Sequence, residues 1–98
     1  MAEYRLTPAA ERDLEAIWLH TRQQWGAAQA DRYVNRLAQE FADLVLMPQA
    51  AVACDHIRRG YRRRTMERHV IYFRMTDYGI AVVRVLHERM EAARHLVN

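Results

Sequence analysis

IRRGYRRRTMERHVIYFRMTDYGIAVVRVLHERMEAARHL, running from Ile57 to Leu96, holds the residues that decide the fold. Tyr61–Met66, His69–Met75 and Ile80–His87 are rich in Val, Ile, Tyr and Phe, the composition of β-strands. Glu67-Arg68 and Thr76-Asp77-Tyr78-Gly79 are connections of hairpin length, and Gly79 can supply a positive φ. Apolar residues lie on both faces of two of these strands. Along His69–Met75 the alternation gives Ile71, Phe73 and Met75 against Val70, Tyr72 and Arg74. Along Ile80–His87 it gives Ile80, Val82, Arg84 and Leu86 against Ala81, Val83, Val85 and His87. An antiparallel sheet usually packs a core on one side and meets water on the other, so the second face needs a cover. A segment Glu88–Leu96 folding back with Met90, Ala93 and Leu96 inward could supply part of it. A binding partner is expected to complete the burial.

The first half supplies the cover for the first face. Tyr4-Arg5-Leu6-Thr7 alternates like a short strand. Thr7-Pro8 then starts a helix: the hydroxyl can accept from a free backbone N–H, and Pro at the first position sacrifices no hydrogen bond. Ala10, Leu14, Ile17 with Trp18, Thr21 and Trp25 form one stripe, and Gly26 closes the helix. A second helix is predicted from about Ala28 to Leu46, with Ala30, Tyr33, Leu37, Phe41, Leu44 and Val45 inward and Pro48 as its stop. So short a connection makes the two helices an antiparallel hairpin. Gln49 to His56 reads as an irregular connection. The expected architecture is α+β: an N-terminal strand and an antiparallel helical hairpin packed on a small antiparallel sheet, with a short C-terminal helix.

Composition narrows the chemistry. A chain of 98 residues is one domain, 1–98. The single cysteine, Cys54, forms no internal disulfide and reads as a small buried apolar residue of a cytoplasmic protein. No apolar run is long enough to span a membrane, and the start lacks the apolar core of a signal peptide. The net charge of +3 hides a split: residues 1–57 hold 5 Arg against 8 acidic residues, whereas residues 58–98 hold 10 Arg against 4. Every one of these cations is Arg, whose planar fork suits carboxylates, phosphates and protein interfaces. The three glycines are far apart, so no nucleotide-binding loop exists. The five histidines are scattered, so neither a metal nor a cofactor is expected. Arg84, His87, Arg89 and His95, with Arg62 or Arg64, could form an acid–base set for RNA cleavage, set against the simpler reading of a solvated cationic rim.

YRLTPAAERDLEAIW and WGAAQADRYVNRLAQEF, followed by IRRGYRRR, RHVIYFR and VVRVLHERMEAARHL, resemble in order and content the ParE toxins of type II toxin–antitoxin modules, within the RelE/ParE superfamily. The resemblance runs from Tyr4 to Leu96 and implies a bacterial protein that inhibits DNA gyrase. It also implies a ParD-like antitoxin that holds it inactive in a hetero-oligomeric complex, with the DNA-binding part on the antitoxin and no direct DNA binding by this chain alone. The same fold serves RelE-like ribosome-dependent endoribonucleases, for which Arg84, His87 and His95 would be the catalytic candidates. A non-toxic corepressor is the third reading. The expected antitoxin-binding residues are Val70, Tyr72 and Arg74 on the open sheet face with Trp18 and Arg22 on the hairpin. The expected target-binding residues are Arg62, Arg63 and Arg64 on the strand edge with His87, Arg89 and Arg94.

Overall fold

The computed structural model describes residues 2–96. In chain order the elements are β1 (Glu3–Leu6), α1 (Pro8–Trp25), α2 (Ala27–Leu46), a 3-10 turn at Pro48–Ala50, β2 (Val52–Ala53), β3 (Tyr61–Met66), β4 (His69–Thr76), β5 (Gly79–His87) and α3 (Ala92–His95). The α+β architecture read from the sequence is present, with two refinements. The sheet is mixed rather than wholly antiparallel: its order is β1-β5-β4-β3-β2, and β1 runs parallel to β5. The connection expected to be irregular contains the 3-10 turn and the two-residue edge strand β2, which pairs with Arg62 and Arg63.

The helix signals act as their chemistry requires. Thr7 is extended at the α1 N-cap, and its hydroxyl oxygen accepts from Ala10 N at 3.1 Å. Gly26 alone joins the helices, at φ 91°, with its N–H donating to Arg22 O at 2.8 Å. The first core lies between hairpin and sheet. Ala10 and Ile17 from α1 and Leu37, Phe41 and Leu44 from α2 meet Ile71, Phe73, Ile80, Val82 and Val85. Burying each large side chain contributes roughly 1.5–3 kcal/mol before chain entropy is charged against it.

Alternation along β5 breaks at a bulge. Tyr72 faces Arg84, but Phe73 faces Val82, so Val83 is the extra residue. Thr7 fastens this irregular point: its N–H donates to Val82 O at 3.1 Å and its hydroxyl donates to Val83 O at 2.7 Å. Beyond the bulge the faces exchange. Val85 joins the hairpin-side core, Leu86 goes to the second face, and Arg84 leaves the row of Ile80 and Val82. The simple alternation of the sequence reading is therefore correct only up to Val82.

The second face is closed by the chain itself, and not by the binding partner expected to complete its burial. Cys54, Val70, Tyr72, Leu86 and Leu96 form a buried cluster, with Ile57, Tyr61, Val83 and Ala92 packed against it. Leu96 and Ala92 provide the inward contacts of the C-terminal segment. Met90 and Ala93, expected to face inward, are exposed. Cys54 is fully buried as expected, and burial pushes its thiol pKa up, away from reactivity.

Gly79 is the tightest of the three glycine positions. Its φ is 140°, and a Cβ there would run into the backbone of Glu3, its partner in the β1–β5 pairing. Gly79→Ala combines backbone strain with a clash that only a shift of β1 can relieve. It should cost about 2–4 kcal/mol in urea unfolding. A loss below about 0.5 kcal/mol would show that β1 is not held closely at this position.

Candidate functional site

The arginines of the second half do different jobs. Arg62 and Arg64 point to the hairpin side of β3. Arg62 Nη1 donates to the carbonyls of Ala51 at 2.9 Å and Gln49 at 3.4 Å, and so secures the segment leading to β2. Arg64 Nη1 pairs with Glu40 of α2 at 2.8 Å, both groups partly buried. Arg63 faces the other way, opposite Tyr72, and its Nε is buried without a hydrogen-bond partner among the described residues. The triplet expected to be a free cationic edge is thus largely committed to the fold. Arg74 is exposed beside the second face, Arg89 is exposed after β5, and Arg94 makes a solvated pair with Glu91 at 3.2 Å.

Arg84 is the most constrained of them. Its Nε and Nη2 donate to the two carboxylate oxygens of Asp13 at 2.7 and 2.8 Å, a bidentate fork. Its Nη1 donates to His95 O at 3.1 Å, and Asp13 Oδ2 also accepts Val85 N–H at 2.9 Å. The Asp13 carboxylate raises the guanidinium pKa above its ordinary value. One interaction therefore ties α1, the strand just past the bulge, and α3.

His87 lies elsewhere. Arg84 and His95 line one hollow with Tyr61 and Arg74, while His87 lines the clefts on the hairpin side. The three residues considered for RNA cleavage do not converge on one pocket. What His87 does meet was not anticipated: His69, ring centroids 5.4 Å apart and nearly perpendicular, with Tyr33 on the far side of His69. The Tyr33 hydroxyl lies 2.6 Å from His69 Nδ1, and His87 Nδ1 accepts from Arg89 N–H at 3.1 Å. Burial first, and then the facing His87 and His20, hold His69 down to a pKa of about 4, so its imidazole is neutral at pH 7. Burial also keeps the Tyr33 hydroxyl protonated by raising its pKa. The pairing was legible in part. A hairpin sets the far ends of β4 and β5 side by side, but without the bulge His69 would meet Leu86 instead of His87.

Of the residues expected to bind an antitoxin, Val70 and Tyr72 do not present an open surface: they are 8% and 6% exposed beneath the C-terminal segment. Arg74 remains accessible. Trp18 and Arg22 form a unit on the hairpin, the Trp18 indole donating to Asp31 Oδ1 at 2.9 Å with the Arg22 guanidinium 5.7 Å from its ring centroid. Other exposed apolar residues include Leu46 and Met47 at the end of α2, and Trp25 beside the hairpin turn. Among the described residues no cluster of His, Cys or carboxylates could hold a metal ion, and no helix is long and apolar enough to cross a membrane.

Comparison with known proteins gives one consistent result. Residues 4–92 match the family model described as the ParE toxin of the type II toxin–antitoxin system parDE. A Toxin ParE1 from Mycobacterium tuberculosis is 42% identical over 96 residues, covering 97% of this chain and 98% of its own. A Toxin ParE1 from Caulobacter vibrioides is 34% identical over 96 residues, covering 98% and 99%. A Toxin ParE from Escherichia coli is 33% identical over 99 residues, covering 100% and 96%. Among solved structures, one described as the chromosomal ParDE TA system from P. aeruginosa has a TM-score of 0.77 over 89% of this chain and 96% of that one. At 22% identity it speaks for the fold alone.

Two measurements check this geometry. Asp13→Ala removes the acceptor of three donors at once and should destabilise the protein by about 2–3 kcal/mol in denaturant unfolding, against a few tenths for an exposed acid such as Glu15. His69 has a depressed folded-state pKa, so the unfolded chain takes up its proton first. The stability this residue contributes is complete above about pH 6.5 and is lost as pH falls toward about 4. His69→Gln, which can still accept from Tyr33, should remove that part of the acid sensitivity. Wild type and variant losing stability in parallel over this interval would contradict the assignment.

Proposed function

The chain belongs to the ParE toxin family of type II toxin–antitoxin systems, and on that premise we propose that it acts in the cytoplasm by inhibiting DNA gyrase until a ParD-like antitoxin neutralises it. The observation that carries this reading is the family match along nearly the whole chain. The geometry supports a binding mechanism over a catalytic one, because Arg84 is locked to Asp13 and to the His95 carbonyl while His87 lies in a different cleft. A cation meant to stabilise a developing phosphorane would have to leave a bidentate carboxylate first.

The antitoxin surface follows from what the chain leaves uncovered. With Val70 and Tyr72 under the C-terminal segment, the hairpin unit of Trp18 and Arg22, together with exposed Arg74, is the surface assigned to the antitoxin. The target surface is assigned to His87, Arg89 and Arg94 at the C-terminal end of the sheet, where both arginines are solvent-accessible. Arg62, Arg63 and Arg64 contribute to it mainly by holding β3 and the preceding segment in place. Acidic side chains on the antitoxin complement the guanidinium groups.

Induction of the chain alone should give gyrase-dependent DNA breaks and filamentous cells while protein synthesis continues at first, and co-expression of the antitoxin should restore growth. Arg89→Ala with Arg94→Ala should reduce toxicity at least tenfold without moving the unfolding midpoint. Trp18→Ala with Arg22→Ala should weaken antitoxin binding by roughly 1–3 kcal/mol. Early loss of translation with cleaved mRNA would establish a ribonuclease instead, and normal growth on induction would establish a corepressor.

A further inference from the structure

Three imidazoles converge where the helical hairpin meets the far ends of β4 and β5, and of the three only His87 belongs to a surface assigned above. Two adjoining hollows of about 300 and 330 Å3 share His20, Thr21, His69 and His87. The first opens toward Trp25, Gln29 and Arg68, and the second runs along Ile17, Val85 and Met90. The carboxylates that line them are already engaged, Glu67 by Arg36 at 3.0 Å and Asp13 by Arg84. Among the described residues none of the three histidines forms an ion pair with a carboxylate, and Arg68 at the mouth makes no salt bridge.

The cleft therefore gathers donors in excess of acceptors. Nδ1 of His69 is taken by the Tyr33 hydroxyl and Nδ1 of His87 by the Arg89 N–H, which leaves Nε2 of each ring to a ligand. For His87, whose Nδ1 accepts, Nε2 is the nitrogen that carries the proton. The charged groups facing His69 are His87 at the end of β5, Glu88 just after it, and His20 and Asp13 from α1, and the two histidines oppose its protonation more strongly than the two acids favour it. An anion seated among the rings would reverse that balance. Phosphate suits the arrangement better than a carboxylate, since it offers three oxygens to donors arriving from a helix, a turn and a strand. Trp25, 75% exposed, and Gln29, which carries both a donor and an acceptor, also line the first hollow.

We propose that this cleft binds a nucleotide, its phosphate held by His20, His87 and Arg68 and its base stacked on Trp25. An acidic peptide with an apolar side chain in the Ile17–Val85–Met90 hollow is the competing occupant; the convergence of three imidazoles favours the phosphate.

The test uses the intact protein with AMP, inorganic phosphate, adenosine and an acidic Leu- and Glu-containing peptide as probes. Intrinsic fluorescence reports on Trp18 and Trp25 together, with Trp25→Leu separating the two, and histidine Cε1 proton resonances report on the rings. AMP should quench the fluorescence and shift the signals of His20, His69 and His87, and the quench should vanish in Trp25→Leu. Inorganic phosphate should shift the same histidines without quenching and should displace AMP. Adenosine should bind at least tenfold more weakly than AMP. Arg68→Ala should weaken binding at least tenfold while leaving the unfolding midpoint unchanged. The proposal is overturned if millimolar AMP and phosphate leave the histidine signals in place, or if Arg68→Ala binds AMP as wild type does. It is equally overturned if the peptide shifts these signals and AMP does not.

Discussion

The fork between Arg84 and Asp13 is the constraint on which the rest of the molecule depends. β5 carries a bulge at its middle, and a bulged strand has unpaired polar groups and an uncertain direction. Asp13 resolves both problems by accepting the Val85 N–H and two Arg84 donors together. The strand is thereby aimed so that Val85 enters the hairpin-side core while Leu86 enters the second one. Thr7 secures the same point from the other side through the Val82 and Val83 carbonyls. Without these two clamps the two cores would compete for the same residues. The third arm of Arg84, on the His95 carbonyl, then brings the C-terminal segment over the second face.

Much of this could be read from the sequence because the signals were local. Thr7-Pro8, Gly26 and Pro48 punctuate two helices whose stripes are regular, and Leu37, Phe41 and Leu44 are as buried as their spacing demands. Periodicity failed where a single inserted residue changes the phase. Val83 shifts Arg84, Val85 and Leu86 to new faces, and strict alternation has no means of marking that shift. β2 escaped notice because two residues carry no period.

The site residues were less legible for a different reason. An arginine in a sequence announces charge but not its partner. Arg62 turned out to serve main-chain carbonyls, Arg64 a glutamate on α2 and Arg84 an aspartate 71 residues earlier in the chain. The histidines are scattered in the sequence, yet His20, His69 and His87 meet because α1 and a bulged hairpin bring them to the same end of the fold. Apolar residues on both strand faces correctly demanded a cover, and Leu96 with Ala92 supplies it from within the chain.

The parallel pairing of β1 with β5 also sets an order of events in time. Glu3–Leu6 are made first, but their hydrogen-bonding partners lie in Gly79–Val82. At typical synthesis rates β1 waits roughly 4–15 s for its neighbour to be made. During that interval the helical hairpin can form locally, but the sheet beneath it cannot close, and the ends of a long loop must still find each other. The native toxin surface consequently comes into being only after β5 has been made, and not with the helical hairpin that precedes it.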